Sequence, residues 1–235
     1  MDGAKAVVLA RARVAGQGKA RVIGPGCDAA RATALDRAFL HDVLTKTSSA
    51  FETELWWAGP EERLEGIDVA TKQQRGDDLG QRMANAIETA LARCERVVIV
   101  GADAPSMPLR ILHHAFELLR SHDTVFSPSH DGGYVLLGAT QVPTFRDVRW
   151  STRHALADSL RSLETPANAA LTEPWFDVDR PADLRLLRAH LAHAPAPPPA
   201  PRPRSPTPQS NLATTPPAPR LVPSRPAAAP LPHPC

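Results

Sequence analysis

Long apolar runs are missing from this sequence. No stretch approaches the ~20 residues needed to span a bilayer, so no membrane partner is expected. Cysteine is scarce: Cys27, Cys94 and Cys235 are odd in number, widely spaced and lack any CxxC pair, which argues against a disulfide framework and a zinc site. Net charge is small. The 27 Lys+Arg against 25 Asp+Glu give +2, which argues against a dedicated nucleic-acid binder. Several catalytic signatures are also missing: GxSxG, HExxH and the Walker GxxxxGK[ST] string. The N-terminus, Met1–Lys5, leads into only five apolar residues, Ala6–Ala10, too short for a signal-peptide core. A reducing cytoplasm is the expected setting.

What is present is uneven. Hydrophobic residues make up 43% of the 235 residues, enough for a substantial core. Proline is concentrated at one end: Pro195–Cys235 holds 16 of the 25 prolines, four arginines and no acid. Removing those arginines leaves 23 Lys+Arg against 25 Asp+Glu over residues 1–194, so a nearly neutral body carries a basic tail. The tail has no aromatic and few large aliphatic residues, and cannot bury enough apolar surface to offset its ordering entropy. Residues 195–235 are therefore expected to be a disordered Pro/Arg-rich appendage, and residues 1–194 one domain. The tail's arginines, without aromatics for stacking, make a poor nucleic-acid footprint.

Within the body, apolar runs alternate with amphipathic ones. Ala6–Ala10, Phe51–Ala58, Arg96–Val100, Thr124–Ser127 and Tyr134–Leu137 read as strands, with weaker candidates at Ile67–Ala70 and Phe176–Asp179. Helices are expected from Asp28 to about Leu44, after Asp77-Asp78, from Pro108 to Arg120, over Thr152–Leu163 and over Ala182–Ala192. Strands alternating with helices imply a mostly parallel sheet covered on both faces. Trp56 and Trp57 read as core. Ligand sites in such sheets lie beyond the carboxyl ends of the strands, which directs attention to the residues after Ala10, Val100 and Ser127.

Four segments there could carry chemistry. The loop Arg11–Arg21 combines four cations with Gly16 and Gly18. It reads equally as a phosphate cradle or a solvated loop, and Arg21 breaks the GxGxxG pattern. Asp103, in Gly101-Ala102-Asp103-Ala104-Pro105, sits where a strand-end carboxylate could hold Mg²⁺, or could simply cap a turn. Asp131-Gly132-Gly133 is a tight turn whose bare backbone could also face a sugar or nucleotide. Asp179 is either an N-cap or a second carboxylate facing Asp103.

Taken in order, these segments resemble a bacterial family of small GT-A-type proteins, the DUF2064 group, related in fold to molybdenum-cofactor and phospholactate guanylyltransferases. The likeness rests on Gly16–Arg21, Gly76–Met83 (GDDLGQRM), Val98–Pro108, Ser127–Gly138 with its DGGYVLLG string, Trp150-Ser151-Thr152 and Phe176–Leu184, over about residues 5–192. It implies an α/β, Rossmann-like GT-A domain of the nucleotide-diphospho-sugar transferase type. The implied cofactor is a divalent metal, Mg²⁺ or Mn²⁺, held by Asp103 and Asp179. Lys19 and Arg21 would hold phosphates, with Asp103, Lys19 and Asp131 as the catalytic set. Gly80 would lie near the nucleotide, and Asp131, Gly132 and Gly133 would line the acceptor or sugar side. Ala15 and Ala20 stand where the family has Pro and Thr, and the lost hydroxyl costs about 1 kcal/mol of phosphate binding.

The implied activity is a metal-dependent transferase drawing on a nucleotide-activated donor, with glycosyl transfer from a nucleotide-sugar as the leading form. Nucleotidyl transfer to a small phosphorylated acceptor is the alternative. A non-catalytic nucleotide-binding protein is the second alternative.

Overall fold

The computed structural model describes residues 3–11, 27–60 and 66–193. The first-loop residues Lys19 and Arg21, their neighbours Ala15 and Ala20, and the Pro-rich tail lie outside the described residues. The seven described strands are β1 (Ala4–Arg11), β2 (Glu52–Ala58), β3 (Ala70–Gln73), β4 (Arg96–Gly101), β5 (Thr124–Pro128), β6 (Tyr134–Ala139) and β7 (Ala169–Leu171). They form one sheet in the order β3-β2-β1-β4-β6-β5-β7. β6 alone is antiparallel to its neighbours, β4 and β5; every other pairing is parallel.

Side-chain alternation along the strands builds the two layers. Val8, Leu55 and Val100 face one side, where Leu40 and Leu44 of α1 (Ala29–Ser48) and Ile111 and Phe116 of α3 (Leu109–Leu118) cover them. Val7, Trp56 and Ile99 face the other side, against Met83 and Ile87 of α2 (Leu79–Leu91) and Leu160 of α4 (Ala155–Ser162). The last helix, α5 (Pro181–His193), packs Leu187 on Phe39 of α1 and on Val178. Trp56 and Trp57 are both buried, as core tryptophans should be. The α/β architecture is the one expected.

Helix starts follow local chemistry. The Asp28 side chain accepts from the Arg31 N–H, and the Asp78 side chain from the Gln81 N–H, capping α1 and α2. Pro108 is the residue before α3 rather than its first helical residue. No described helix is long and apolar enough to cross a membrane.

Three boundaries differ from the sequence reading. The strand expected at Ile67–Ala70 begins only at Ala70. β3 is an edge strand, largely exposed and free of any apolar requirement, while Ile67 and Val69 pack against the core as coil. Phe176–Asp179 is not a strand. Its backbone bonds go elsewhere: the Val178 N–H to the Asp103 carbonyl, and the Asp179 N–H to the Asp183 side chain. The edge strand is instead β7, extended by a single bridge between Ser129 and Trp175. Finally, α4 begins at Ala155 rather than Thr152, because Ser151 adopts a left-handed φ of 60° and the Thr152 hydroxyl accepts from the His154 N–H.

Candidate active site

A cleft of about 790 Å³ opens at the carboxyl ends of β1 and β4. Because β6 is reversed, its first residue, Tyr134, lies at the same rim and lines the cleft. Asp103 and Asp179 line it too, although 76 positions separate them in sequence. They are joined through the backbone. The Val178 N–H donates to the Asp103 carbonyl at 2.9 Å, which brings the chain just before Asp179 against the loop after β4. The Asp179 and Arg180 N–H groups then donate to Asp183 Oδ2, at 3.0 and 2.7 Å.

The loop after β4 is gripped from behind. Lys46, in the last turn of α1, donates through Nζ to the carbonyls of Pro105 at 2.7 Å and Met107 at 2.8 Å. Burial pushes the Lys46 ammonium below its ordinary pKa, with Asp42 acting the other way. Charged donors of this kind contribute roughly 1.5–3 kcal/mol per bond, offset here by desolvation. Lys46→Met is therefore expected to lower unfolding free energy by about 2 kcal/mol. It should also raise amide exchange selectively over residues 104–107, read by urea titration and hydrogen-exchange mass spectrometry. Uniform exchange across the chain would contradict a local clamp.

Carboxylates crowd this rim. Asp177 is pushed above its ordinary pKa by burial, and further by the charges of Asp131 and Asp179, while the Ser129 hydroxyl donating at 2.7 Å pulls it down. Acids gathered at such a spot suit a cation. Two of them, Asp103 with a buried Oδ1 and Asp179, line the cleft itself. One or two carboxylates plus substrate phosphates are the usual Mg²⁺ donors, so the residues fit a divalent metal. Among the described residues, no group of three or more His, Cys, Asp or Glu side chains gathers into a metal cage.

Other expected residues stand differently. Asp131 Oδ1 accepts from the Gly133 N–H at 2.8 Å, closing the turn before β6. Gly132 has φ +88°, and a Cβ there would sit 2.1 Å from the Arg153 carbonyl oxygen. Its own carbonyl accepts from the Leu156 N–H at 3.1 Å. Gly80 packs on Trp150, whose Cζ2 would lie 2.7 Å from an added Cβ. Asp131, Gly132, Gly133 and Gly80 frame the cleft without lining it; Tyr134, Val135 and Leu79 beside them do line it. Sequence reasoning assigned no role to Lys46, Arg82 or Leu79. The only signal for Arg82 was its place in the GDDLGQRM string.

Comparison with known proteins agrees with this architecture. The model of a family described as "Uncharacterized protein conserved in bacteria (DUF2064)" matches residues 32–152, just over half of the chain. Among solved structures, a candidate nucleotide-diphospho-sugar transferase from Desulfovibrio desulfuricans G20 superposes with a TM-score of 0.74 at 24% identity, covering 83% of this chain and 90% of that one. The 4-diphosphocytidyl-2C-methyl-D-erythritol synthase of Anaerococcus prevotii DSM 20548 gives 0.53 at 10% identity, covering 81% and 96%. At these identities the likeness is one of fold. No curated protein matches the chain in sequence.

Proposed function

We propose, from the premise that the chain belongs to the DUF2064 family and shares its fold with a candidate nucleotide-diphospho-sugar transferase, that it is a transferase acting on a nucleotide-activated donor, with a glycosyl group as the transferred unit. One observation carries the reading: Asp103 and Asp179, 76 positions apart in sequence, line one cleft at the carboxyl rim of the sheet. Asp103 and Asp179 would hold Mg²⁺ or Mn²⁺, which when bound neutralises charge on the donor's diphosphate.

The chain's own residues supply position and charge. Lys19 and Arg21 of the first loop would hold the phosphates. Their positive charge would offset the charge that builds on the leaving diphosphate. The Asp131-Gly132-Gly133 turn, with Asp131 oriented by its own backbone, delivers Tyr134 to the cleft wall. Lys46 and Val178 keep the Asp103 loop from shifting, so a bound donor and acceptor would stay in reacting register.

The test is thermal unfolding against a panel of nucleoside triphosphates and nucleotide-sugars, with and without Mg²⁺ or Mn²⁺. A saturating ligand at about 100 times its Kd adds roughly 2.7 kcal/mol, a rise of about 5–10 °C for a domain of this size. That rise is expected only with metal, and Asp103→Asn should abolish it. Mass spectrometry of the product then separates glycosyl from nucleotidyl transfer: the released group is a nucleoside diphosphate in the first and pyrophosphate in the second. A flat melting temperature across the panel would overturn the proposal.

A further inference from the structure

Arg82 stands on the first turns of α2, half-buried, and lines the cleft. Its Nε donates to the Gly76 carbonyl at 3.0 Å. Two neighbours on the same helix grip the same turn: Gln81 Oε1 accepts from the Asp77 N–H at 3.0 Å, and Asn85 Nδ2 donates to the Arg75 carbonyl at 2.8 Å. The turn is built for this closeness. Gly76 has φ +129°, and a Cβ there would lie 2.6 Å from the Gln81 Cβ. The guanidinium is thus held through one of its five donors. Among the described residues, no carboxylate forms a salt bridge with it, although Asp77, Asp78, Asp103 and Asp179 line the same cleft. A guanidinium drawn halfway out of water normally gains an anionic partner.

The wall beside it is apolar. Leu79, one helical position into α2, is 42% exposed and lines the cleft. Trp150 lines it as well, and its ring is fixed on two sides. It packs edge-on to Phe145, with centroids 5.5 Å apart, and lies against the bare backbone of Gly80. The preceding residue, Arg149, is clamped by the buried Asp158 through bonds of 2.7 and 2.9 Å. Those bonds hold the Asp158 carboxyl well below the usual carboxylate range. Ser151, with its left-handed backbone, completes the rim. A rigid indole, an exposed leucine and an unfilled guanidinium therefore border one space.

We propose that Arg82, Leu79 and Trp150 form the acceptor subsite, which takes a small oxyanion carried on a flat apolar body such as a ring. Arg82 grips the oxyanion through its Nη edge, and Trp150 with Leu79 covers the ring face. The proposal rests on the transferase reading for the word acceptor, but the oxyanion site itself does not depend on donor or metal.

The test therefore omits both. The full-length protein in EDTA is titrated with phenyl phosphate, inorganic phosphate, benzoate and phenol, followed by ¹⁵N side-chain NMR of the arginine Nε–Hε groups. The Arg82 signal is assigned by its loss in Arg82→Lys. Phenyl phosphate is expected to move that signal saturably and to bind about tenfold tighter than inorganic phosphate, with phenol silent. Benzoate in place of phenyl phosphate tells whether carboxylate serves as well as phosphate. Arg82→Gln should weaken phenyl phosphate about tenfold or more, Trp150→Leu should erase its advantage over inorganic phosphate, and the surface control Arg120→Gln should change neither. An Arg82 signal that stays still in the wild-type protein, or equal affinity in Arg82→Gln, overturns the proposal, and the first of these needs no variant to fold. Nucleotide binding that fails while phenyl phosphate binds would sink the donor reading and leave this site standing.

Discussion

Gly132→Ala is expected to cost about 4 kcal/mol or more. Two penalties act together. The φ of +88° lies outside the range that L side chains adopt readily, and that strain alone costs of order 1–3 kcal/mol. The new Cβ would also sit 2.1 Å from the Arg153 carbonyl oxygen, and that obstacle is backbone rather than a pliable side-chain tip. Relief would require the turn before α4 to retreat. The Leu156 N–H to Gly132 carbonyl bond would then break, and the segment carrying Trp150 and Ser151 would move away from the cleft. Urea unfolding of Gly132→Ala beside Gly101→Ala makes the measurement specific, because a Cβ at Gly101 meets nothing closer than 4.0 Å. Equal costs at the two positions would contradict the account.

Glu54→Ala should cost about 3 kcal/mol. Glu54 and Lys5 are both buried, 2.8 Å apart, on adjacent strands of the core. Glu54 also accepts from Lys72 at 2.9 Å and from the Trp56 indole at 3.1 Å. Removing the carboxylate leaves the Lys5 ammonium buried with only the exposed Glu52 beside it, at 2.9 Å. Breaking one half of a buried pair typically costs 3–5 kcal/mol, roughly, and Glu52 places the expectation at the lower end.

The same group predicts a pH dependence. Burial pushes the Glu54 carboxyl up, but hydrogen bonds from Lys5, Lys72 and Trp56 outweigh it and leave the pKa below its ordinary 4.5. A carboxyl depressed by folding stabilises the protein above its unfolded pKa, and that contribution is lost as pH falls through the folded value. Lys5 moves in the opposite sense. Burial lowers its pKa, but Glu54 and Glu52 raise it above 10.5 overall, so its contribution is full below that value and disappears in strong alkali. The wild-type unfolding free energy should therefore fall below about pH 4.5 by more than that of Glu54→Gln, measured by urea titration from pH 3 to 7. Parallel curves for the two proteins would refute the linkage.

Much of the fold was legible because the signals are local. Arg96–Val100 is apolar and β-branched and ends at Gly101, and it is the central strand β4. Asp78 before an amphipathic run marks the start of α2 to the residue. The edges were harder to read. β3 and β7 each pair on one side only, and need no apolar pattern to be stable there. The site divides in the same way. Asp103 could be found from its place after a strong strand. Asp179 could not be separated from a helix cap, because what brings it to the cleft is a bond to a carbonyl 75 positions before Val178. Lys46 looks like an ordinary solvated lysine at a helix end, and only the loop folded over it makes it a buried clamp. Gly132 reads as a turn residue, yet its strictest demand comes from Arg153, beyond the next strand. Lys19 and Arg21 fall outside the described residues, so their part is carried by resemblance.

The stitch between Val178 and Asp103 has a temporal meaning as well. A chain grows from its N-terminus, and domains tend to form in that order. Everything through β6 can associate while the ribosome is still adding later residues, but the pocket lacks its far post until position 179 has emerged. Nascent protein is thus assembled before it is competent, and a truncation ahead of Val178 should leave the pocket without the acid pair that would hold a metal at its mouth.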